Sequence, residues 1–230
     1  MKPLTTVGIV MARTDYHEAD RILTILTPDQ GKLHLMAKGV RRIKSKLAGG
    51  IELFSVSEIT FIRGRKDMGT LLSARLKVHY GAIVSDLNRT MMAYEVLKML
   101  NRATEDEPDG GYFEILQTAL AGLDRTSLDL QLIQLWFQAQ LIKLGGHQPN
   151  LLTDKAGKRL VAETSYRFDF ESMCFERAPH GTFQAPHIKV LRLLFGIEQP
   201  EKLQAIEALE QYLGVVAPLL QTMLKTYIRL

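Results

Sequence analysis

A chain of 230 residues with 46% apolar and 23% charged side chains is long enough for one large or two modest cores and too apolar for wholesale disorder. No apolar run approaches the roughly 18 residues of a membrane span. A single cysteine, Cys174, excludes an intrachain disulfide and any multi-cysteine zinc site.

The net charge of +4 is unevenly held. Residues 1–80 carry 14 Lys and Arg against 7 Asp and Glu, whereas residues 81–230 carry 15 against 18. A basic module therefore precedes a mildly acidic one, the asymmetry expected of a nucleic-acid-binding module on a neutral scaffold. The opening Met1-Lys2-Pro3-Leu4-Thr5-Thr6 has no long apolar stretch or cleavage site, so no signal peptide is expected. With one cysteine, the reading is a cytoplasmic protein with no membrane partner.

The first 80 residues read as short strands. Val7 to Ala12 is an apolar run of strand length, and Arg21 to Thr27 is rich in β-branched residues and stops at the turn Pro28-Asp29-Gln30-Gly31. Lys32 to Lys38 alternates, with Leu33, Leu35 and Ala37 on one face, completing a hairpin. Phe54 to Ile62 is a fourth strand. The fifth places Leu72, Ala74, Leu76, Val78 and Tyr80 inward and Ser73, Arg75, Lys77 and His79 outward. Five strands in so short a span predict a closed OB-fold barrel over residues 1–80.

After Tyr80 the period becomes helical, and residues 81–230 predict a mainly α-helical domain. Ser85 or Asp86 caps a helix to about Asn101, whose stripe is Leu87, Met91, Tyr94, Leu97 and Met99-Leu100. A loop at 105–111 follows, then helices from Tyr112 to Leu123 and from a Thr126 or Ser127 cap to Leu144, the latter ended by Gly145-Gly146. Ile133, Trp136, Phe137, Gln140 and Leu141 give this last helix its buried face. The stretch at about 150–186 departs from helical period. Tyr166 to Phe170 alternates and Met173 to Glu176 follows, which predicts an inserted β-hairpin. Further helices are expected near Pro186, from Glu201 to Tyr212 and from about Pro218 onward. The whole is an α+β multi-domain architecture.

The most informative stretch is Lys38-Gly39-Val40-Arg41-Arg42-Ile43-Lys44-Ser45-Lys46-Leu47-Ala48-Gly49-Gly50. Lys38, Arg41, Arg42, Lys44 and Lys46, with Lys32 upstream, meet no acid until Glu52, and the flanking glycines suggest a mobile loop between the third and fourth strands. Dense one-signed charge binds phosphates by releasing counterions, without exact geometry. Arg63, Arg65 and Lys66 form a second basic turn, and Arg75 and Lys77 project from the fifth strand. Exposed aromatics for base stacking are scarce, only Tyr16, Phe54, Phe61 and Tyr80 being available, which favours sequence-blind binding.

The remaining polar clusters carry no chemistry. Asp15-Tyr16-His17-Glu18-Ala19-Asp20 looks at first like a metal or acid/base cluster, but consecutive side chains diverge and no metal role is assigned. No G-x-S-x-G, P-loop or G-x-G-x-x-G is present. No catalytic residue, metal ligand or cofactor is expected.

Gly8-Ile9-Val10, the run Asp15 to Pro28, Gly31-Lys32-Leu33, Ala37 to Arg42 and Lys44 to Gly49 together resemble the N-terminal domain of the bacterial recombination mediator family RecO. The likeness continues more weakly through the helical region, where Leu141 to Pro149 is similar to that family's Leu-Gly-x-x-Pro helix ending. The resemblance implies a non-catalytic protein of the RecF pathway of recombinational repair. It would bind ssDNA and dsDNA without sequence preference, anneal complementary strands and, with RecR, help load RecA onto strands coated by single-strand-binding protein (SSB), at the nucleoid. The family's basic-loop positions fall on Lys38, Arg41, Arg42, Lys44 and Lys46. Many members carry a four-cysteine zinc module after the Leu-Gly-x-x-Pro ending. Here Gln148 to Pro186 holds only Cys174, so a hairpin lacking zinc, held by Tyr166, Phe168, Phe170 and Phe175, is expected. Lys98, Arg102, Arg125 and Lys143 are candidate cations around the acidic SSB tail. An alternative reading keeps the fold as a partner-docking adaptor with weak DNA binding.

Overall fold

The computed structural model describes residues 2–64, 68–104 and 111–228 and divides into two compact units, 1–126 and 127–230. The boundary read from sequence at residue 80 is where the strands end, whereas the first compact unit also takes in three helices.

Five strands, β1 (Leu4–Tyr16), β2 (Asp20–Thr27), β3 (Gly31–Ala37), β4 (Ser55–Ile62) and β5 (Met68–His79), form a closed barrel in the order β1-β2-β3-β5-β4. This is the OB-fold barrel that strand number and spacing predicted. All pairings are antiparallel except β3 with β5, where three residue pairs run parallel. Val10, Leu23, Ile25, Leu35, Ala37, Ile59, Phe61 and Leu71 fill the interior.

The phase predicted for β5 holds at Ala74, which packs against the core, and at the buried Tyr80, but not at the other positions predicted inward. Leu71 is buried while Leu72, Leu76 and Val78 are exposed. Of two irregularities against β4, the first, at Thr60/Phe61, sets Leu71 opposite Phe61, and the second, at Val56/Ser57, passes over Lys77; each such bulge breaks the simple alternation that sequence reading assumes. The first also leaves Leu72 without a register partner in β4.

Three helices complete this unit: α1 (Gly81–Ser85), α2 (Leu87–Ala103) and α3 (Tyr112–Asp124). Asp86 caps α2 by accepting the Arg89 amide at 2.9 Å. The predicted stripe of α2 holds at Leu97 and Leu100 but is rotated before them: Ala93 and Val96 are buried together with Arg89, and Leu87, Met91 and Tyr94 face solvent. Arg89 decides this. Its guanidinium donates to the carbonyls of Leu123 (2.7 Å), Arg125 (3.1 Å) and Thr126 (2.9 Å) at the end of α3, satisfying acceptors that a helix terminus leaves open. Of the acidic loop expected at 105–111, residues 105–110 lie outside the described residues.

In the second unit α4 (Leu130–Leu144) is capped by Asp129, which accepts from Gln131 and Leu132 amides, rather than by Thr126 or Ser127. One line of α4 serves the end of α5 (Ala185–Gly196). Trp136 Nε1 donates to Ile197 O at 2.8 Å, Gln140 Nε2 to Leu194 O at 2.7 Å and Lys143 Nζ to Phe195 O at 3.2 Å. The predicted hairpin is present as β7 (Tyr166–Asp169) and β8 (Cys174–Arg177), but β6 (Asn150–Asp154) pairs parallel to β8 and makes a three-stranded sheet. Phe175 contacts Tyr166, Phe168 and Phe183 edge-on. The helix predicted over Glu201 to Tyr212 is only α6 (Glu201–Gln204), and α7 (Glu210–Tyr227) runs through Pro218. Burial of Leu213, Val216, Leu219, Leu220, Met223 and Leu224 along one face outweighs the roughly 3 kcal/mol an interior proline costs.

Candidate nucleic-acid interface

The chain between β3 and β4 is fastened at both ends. Val40 is buried in the barrel core and Leu47 packs against it, and a 3-10 turn at Ala48–Gly50 leads into the next strand. Gly50 is required there, because a Cβ at this position would lie 2.4 Å from the carbonyl oxygen of Ala74. Between these anchors the loop folds into successive turns, with the Arg42 amide donating to Gly39 O at 3.1 Å and the Ser45 amide to Arg42 O at 2.9 Å. The loop expected to be mobile is thus hydrogen-bonded along its length.

The β1–β2 turn grips the same loop, which gives the acidic cluster Asp15 to Asp20 a structural purpose. Asp20 Oδ1 accepts the Gly39 amide at 2.7 Å, and Ala19 O accepts the Arg41 amide at 3.0 Å. The Arg41 guanidinium reaches His17 O at 3.4 Å and Asp15 Oδ2 at 3.6 Å. Asp15 also accepts from Arg21 Nε at 2.8 Å. That hydrogen bond, with the nearby charge of Arg41, holds the Asp15 carboxyl below its ordinary pKa. Arg41 therefore positions the loop as much as it charges it.

The other loop cations are differently placed. Lys38, Arg42, Lys44 and Lys46 are exposed and make no ion pair among the described residues. Ile43, between Arg42 and Lys44, is fully exposed, a feature the sequence reading passed over because an isoleucine in a basic run carries no signal of its own.

The remaining sequence candidates separate by partner. Lys32 Nζ donates to Asn101 O (3.1 Å) and Thr104 O (2.7 Å), closing the end of α2. Arg63 donates to Gln30 Oε1 at 2.6 Å, and both cations line a recess of about 190 Å³ with His34, Phe61 and Gly69. Lys77 pairs with Glu58 at 3.0 Å; Arg75 is exposed in register with Glu58. Arg65 and Lys66 lie outside the described residues. Of the four candidate aromatics, Phe54, Phe61 and Tyr80 are buried and Tyr16 is exposed, its ring 4.1 Å from that of His17.

The cations proposed for partner contact are shared between the two units. Lys98 and Arg102 are exposed on α2, and Arg125 is exposed just after α3. Lys143 belongs to α4 of the second unit, where it serves the end of α5.

The region around β6–β8 does not fit a four-thiolate metal. Cys174 is buried beside Ser172 Oγ at 3.0 Å, and no group of three His, Cys, Asp or Glu able to hold a metal occurs among the described residues. An ion pair links β6 and β8 instead. The side chain of Asp154, 2% exposed, accepts from Arg177 Nε at 2.8 Å and from the Ala156 and Lys158 amides. Burial opposes its ionisation, but these donors prevail and leave its pKa lowered. Among the described residues no helix is long and apolar enough to cross a membrane.

Comparison with known proteins agrees with this geometry. The family profile described as Recombination protein O N terminal matches residues 1–80, and that of Recombination protein O C terminal matches residues 84–230. A protein of Dehalococcoides mccartyi named DNA repair protein RecO is 34% identical over 163 residues, covering 70% of this chain and 64% of its own. This chain thus spans less than two thirds of that relative's length. Proteins of the same name from Listeria welshimeri and Listeria monocytogenes are 28% and 29% identical over 213 residues, covering 89% and 87% of this chain and 81% and 80% of their own. Two adjoining matches account for nearly every residue, the first over the barrel and its basic loop and the second over the helical remainder, and the chain belongs to the RecO family.

Proposed function

We propose that this chain is a non-catalytic, cytoplasmic DNA-binding protein of the RecF pathway of recombinational repair. It binds single- and double-stranded DNA without sequence preference, anneals complementary strands and, with RecR, helps load RecA onto SSB-coated single strands at the nucleoid. One observation carries this reading: Lys38, Arg42, Lys44 and Lys46 stand exposed and without ion pairs among the described residues, on a loop fastened to a barrel. Annealing forms no covalent bond. It requires cations that screen two phosphate backbones while the base edges stay free to pair, and exposed Lys and Arg supply that screening.

The exposed side of α2 supports an SSB contact. Leu87, Met91 and Tyr94 continue at helical spacing into Lys98 and Arg102, an apolar-to-basic line complementary to an acidic tail with an apolar end. The same face favours the second reading, an adaptor that docks partners and binds DNA weakly.

Annealing of complementary SSB-coated oligonucleotides separates them, comparing wild type with Arg42→Ala/Lys44→Ala/Lys46→Ala. The expected result is annealing by the wild type and its loss in the variant at unchanged thermal stability. Equal annealing by both overturns the role of the loop. A wild type that binds SSB but neither anneals nor binds single strands at low salt establishes the adaptor.

A further inference from the structure

The loop that presents the cations also presents an apolar side chain to water. Ile43 has a relative exposure of 105%, above Leu87 at 74% and Leu152 at 71%, the next most exposed large apolar side chains among the described residues. Its position is built. The hydrogen bond from the Ser45 amide to Arg42 O closes a turn whose two corner residues are Ile43 and Lys44. A β-branched side chain at such a corner is stiff, losing little freedom when it is inserted into something.

Its surroundings say what that something is. Arg42 and Lys44 flank it in sequence and Arg41 and Lys46 follow on either side, so the surface around Ile43 is complementary to a polyanion. Phosphates offer nothing to an isoleucine, whereas the faces of nucleobases are the apolar part of a nucleic acid. The same hydrogen bonds that fasten Arg41 bring in the β1–β2 turn, which carries Tyr16, 41% exposed and packed edge-on against His17.

The geometry points to Ile43 as a base-contacting wedge: it enters the base stack of a strand whose phosphates are held by the loop cations. This rests on the DNA-binding reading above and deepens it. In that arrangement the cations supply the salt-dependent part of the affinity and Ile43 a salt-independent part. A strand with a step opened at Ile43 has bases unstacked and ready to pair with a complement.

The test uses the full chain and an oligo-dT strand carrying one 2-aminopurine, whose fluorescence rises when it is unstacked. Wild type, Ile43→Ala, Ile43→Phe and Arg42→Ala/Lys44→Ala/Lys46→Ala are titrated at several salt concentrations. Ile43→Ala is expected to bind roughly fivefold to tenfold more weakly, with an unchanged salt slope and no fluorescence rise, and Ile43→Phe to keep the rise. Because Ile43 contacts no core, its replacement leaves the melting temperature as it was. If Ile43→Ala matches wild type in affinity and fluorescence while the triple cation variant loses binding, the wedge is refuted and the DNA reading stands. If Ile43→Ala binds DNA normally but loses a protein partner, the wedge is equally refuted. If wild type itself does not bind the strand, the DNA reading fails and takes the wedge with it.

Discussion

Alanine at Arg42, Lys44 and Lys46 together removes three of the four loop cations that have no ion pair among the described residues. Each phosphate neutralised on a single strand adds about 0.7 to the slope of log affinity against log salt, so the variant's slope is shallower by about 2. Over a fourfold rise in salt that difference means the wild type loses roughly twentyfold more affinity than the variant. Anisotropy of a labelled oligo-dT strand at potassium chloride concentrations between about 50 and 200 mM reads both slopes directly. Arg41→Ala provides the contrast. Its guanidinium already faces Asp15 and His17 O, so its loss changes the slope by less than one of the other cations and acts by loosening the loop. Parallel lines for wild type and the triple variant refute the assignment of phosphate contacts to this loop, whatever happens to absolute affinity.

Other expectations concern the scaffold. Arg89→Met leaves three carbonyls at the end of α3 without their donor and costs about 3 kcal/mol in urea unfolding; a loss under about 1 kcal/mol contradicts the account of why α2 is rotated. Gly50→Ala forces a methyl group against Ala74 O and lowers stability by about 1–3 kcal/mol, with DNA affinity falling in parallel as the loop shifts. Lys155 and the Ser172 hydroxyl hold Asp169 down at about 2 against an ordinary 3.8. Its ionised form therefore favours the fold above the unfolded value, and that contribution disappears as pH falls from about 4 towards 2. Amide chemical shifts of β7 and β8 are expected to titrate in that window and to stop doing so in Asp169→Asn.

The elements themselves were mostly legible, and their faces only in part: Ile133, Trp136, Phe137, Gln140 and Leu141 of α4 are buried as expected, whereas α2 and β5 depart from the reading. Strand number, the β2–β3 hairpin and the basic loop follow from local pattern: alternation, the Pro28–Gly31 turn and charge density. The face of α2 did not, because the strongest buried group on it is an arginine whose acceptors lie 34 to 37 residues away. The phase of β5 depends on bulges that no composition rule marks. β6 was missed because a five-residue strand paired in parallel has no hairpin turn to announce it. The same logic divides the site. Lys38, Arg42, Lys44 and Lys46 were visible as a run, whereas Lys32, 72 residues from Thr104, and Lys143, 52 from Phe195, close helix ends that only the folded chain brings within reach.

The barrel's seams are of unequal strength. β4 and β5 share eight register pairs, whereas the described residues of β3 and β5 share three, His34–Met68, Leu35–Gly69 and Met36–Thr70. At its middle Gly69 admits no side chain, since a Cβ there would sit 2.7 Å from Leu35 Cδ2 and 2.9 Å from Ile62 O. A cylinder laced so briefly on one side parts there first. Native-state hydrogen exchange should then run in a fixed order, with the β3–β5 amides released before those of β4–β5, and the barrel breathing as a curled sheet that reopens and rejoins along that single line.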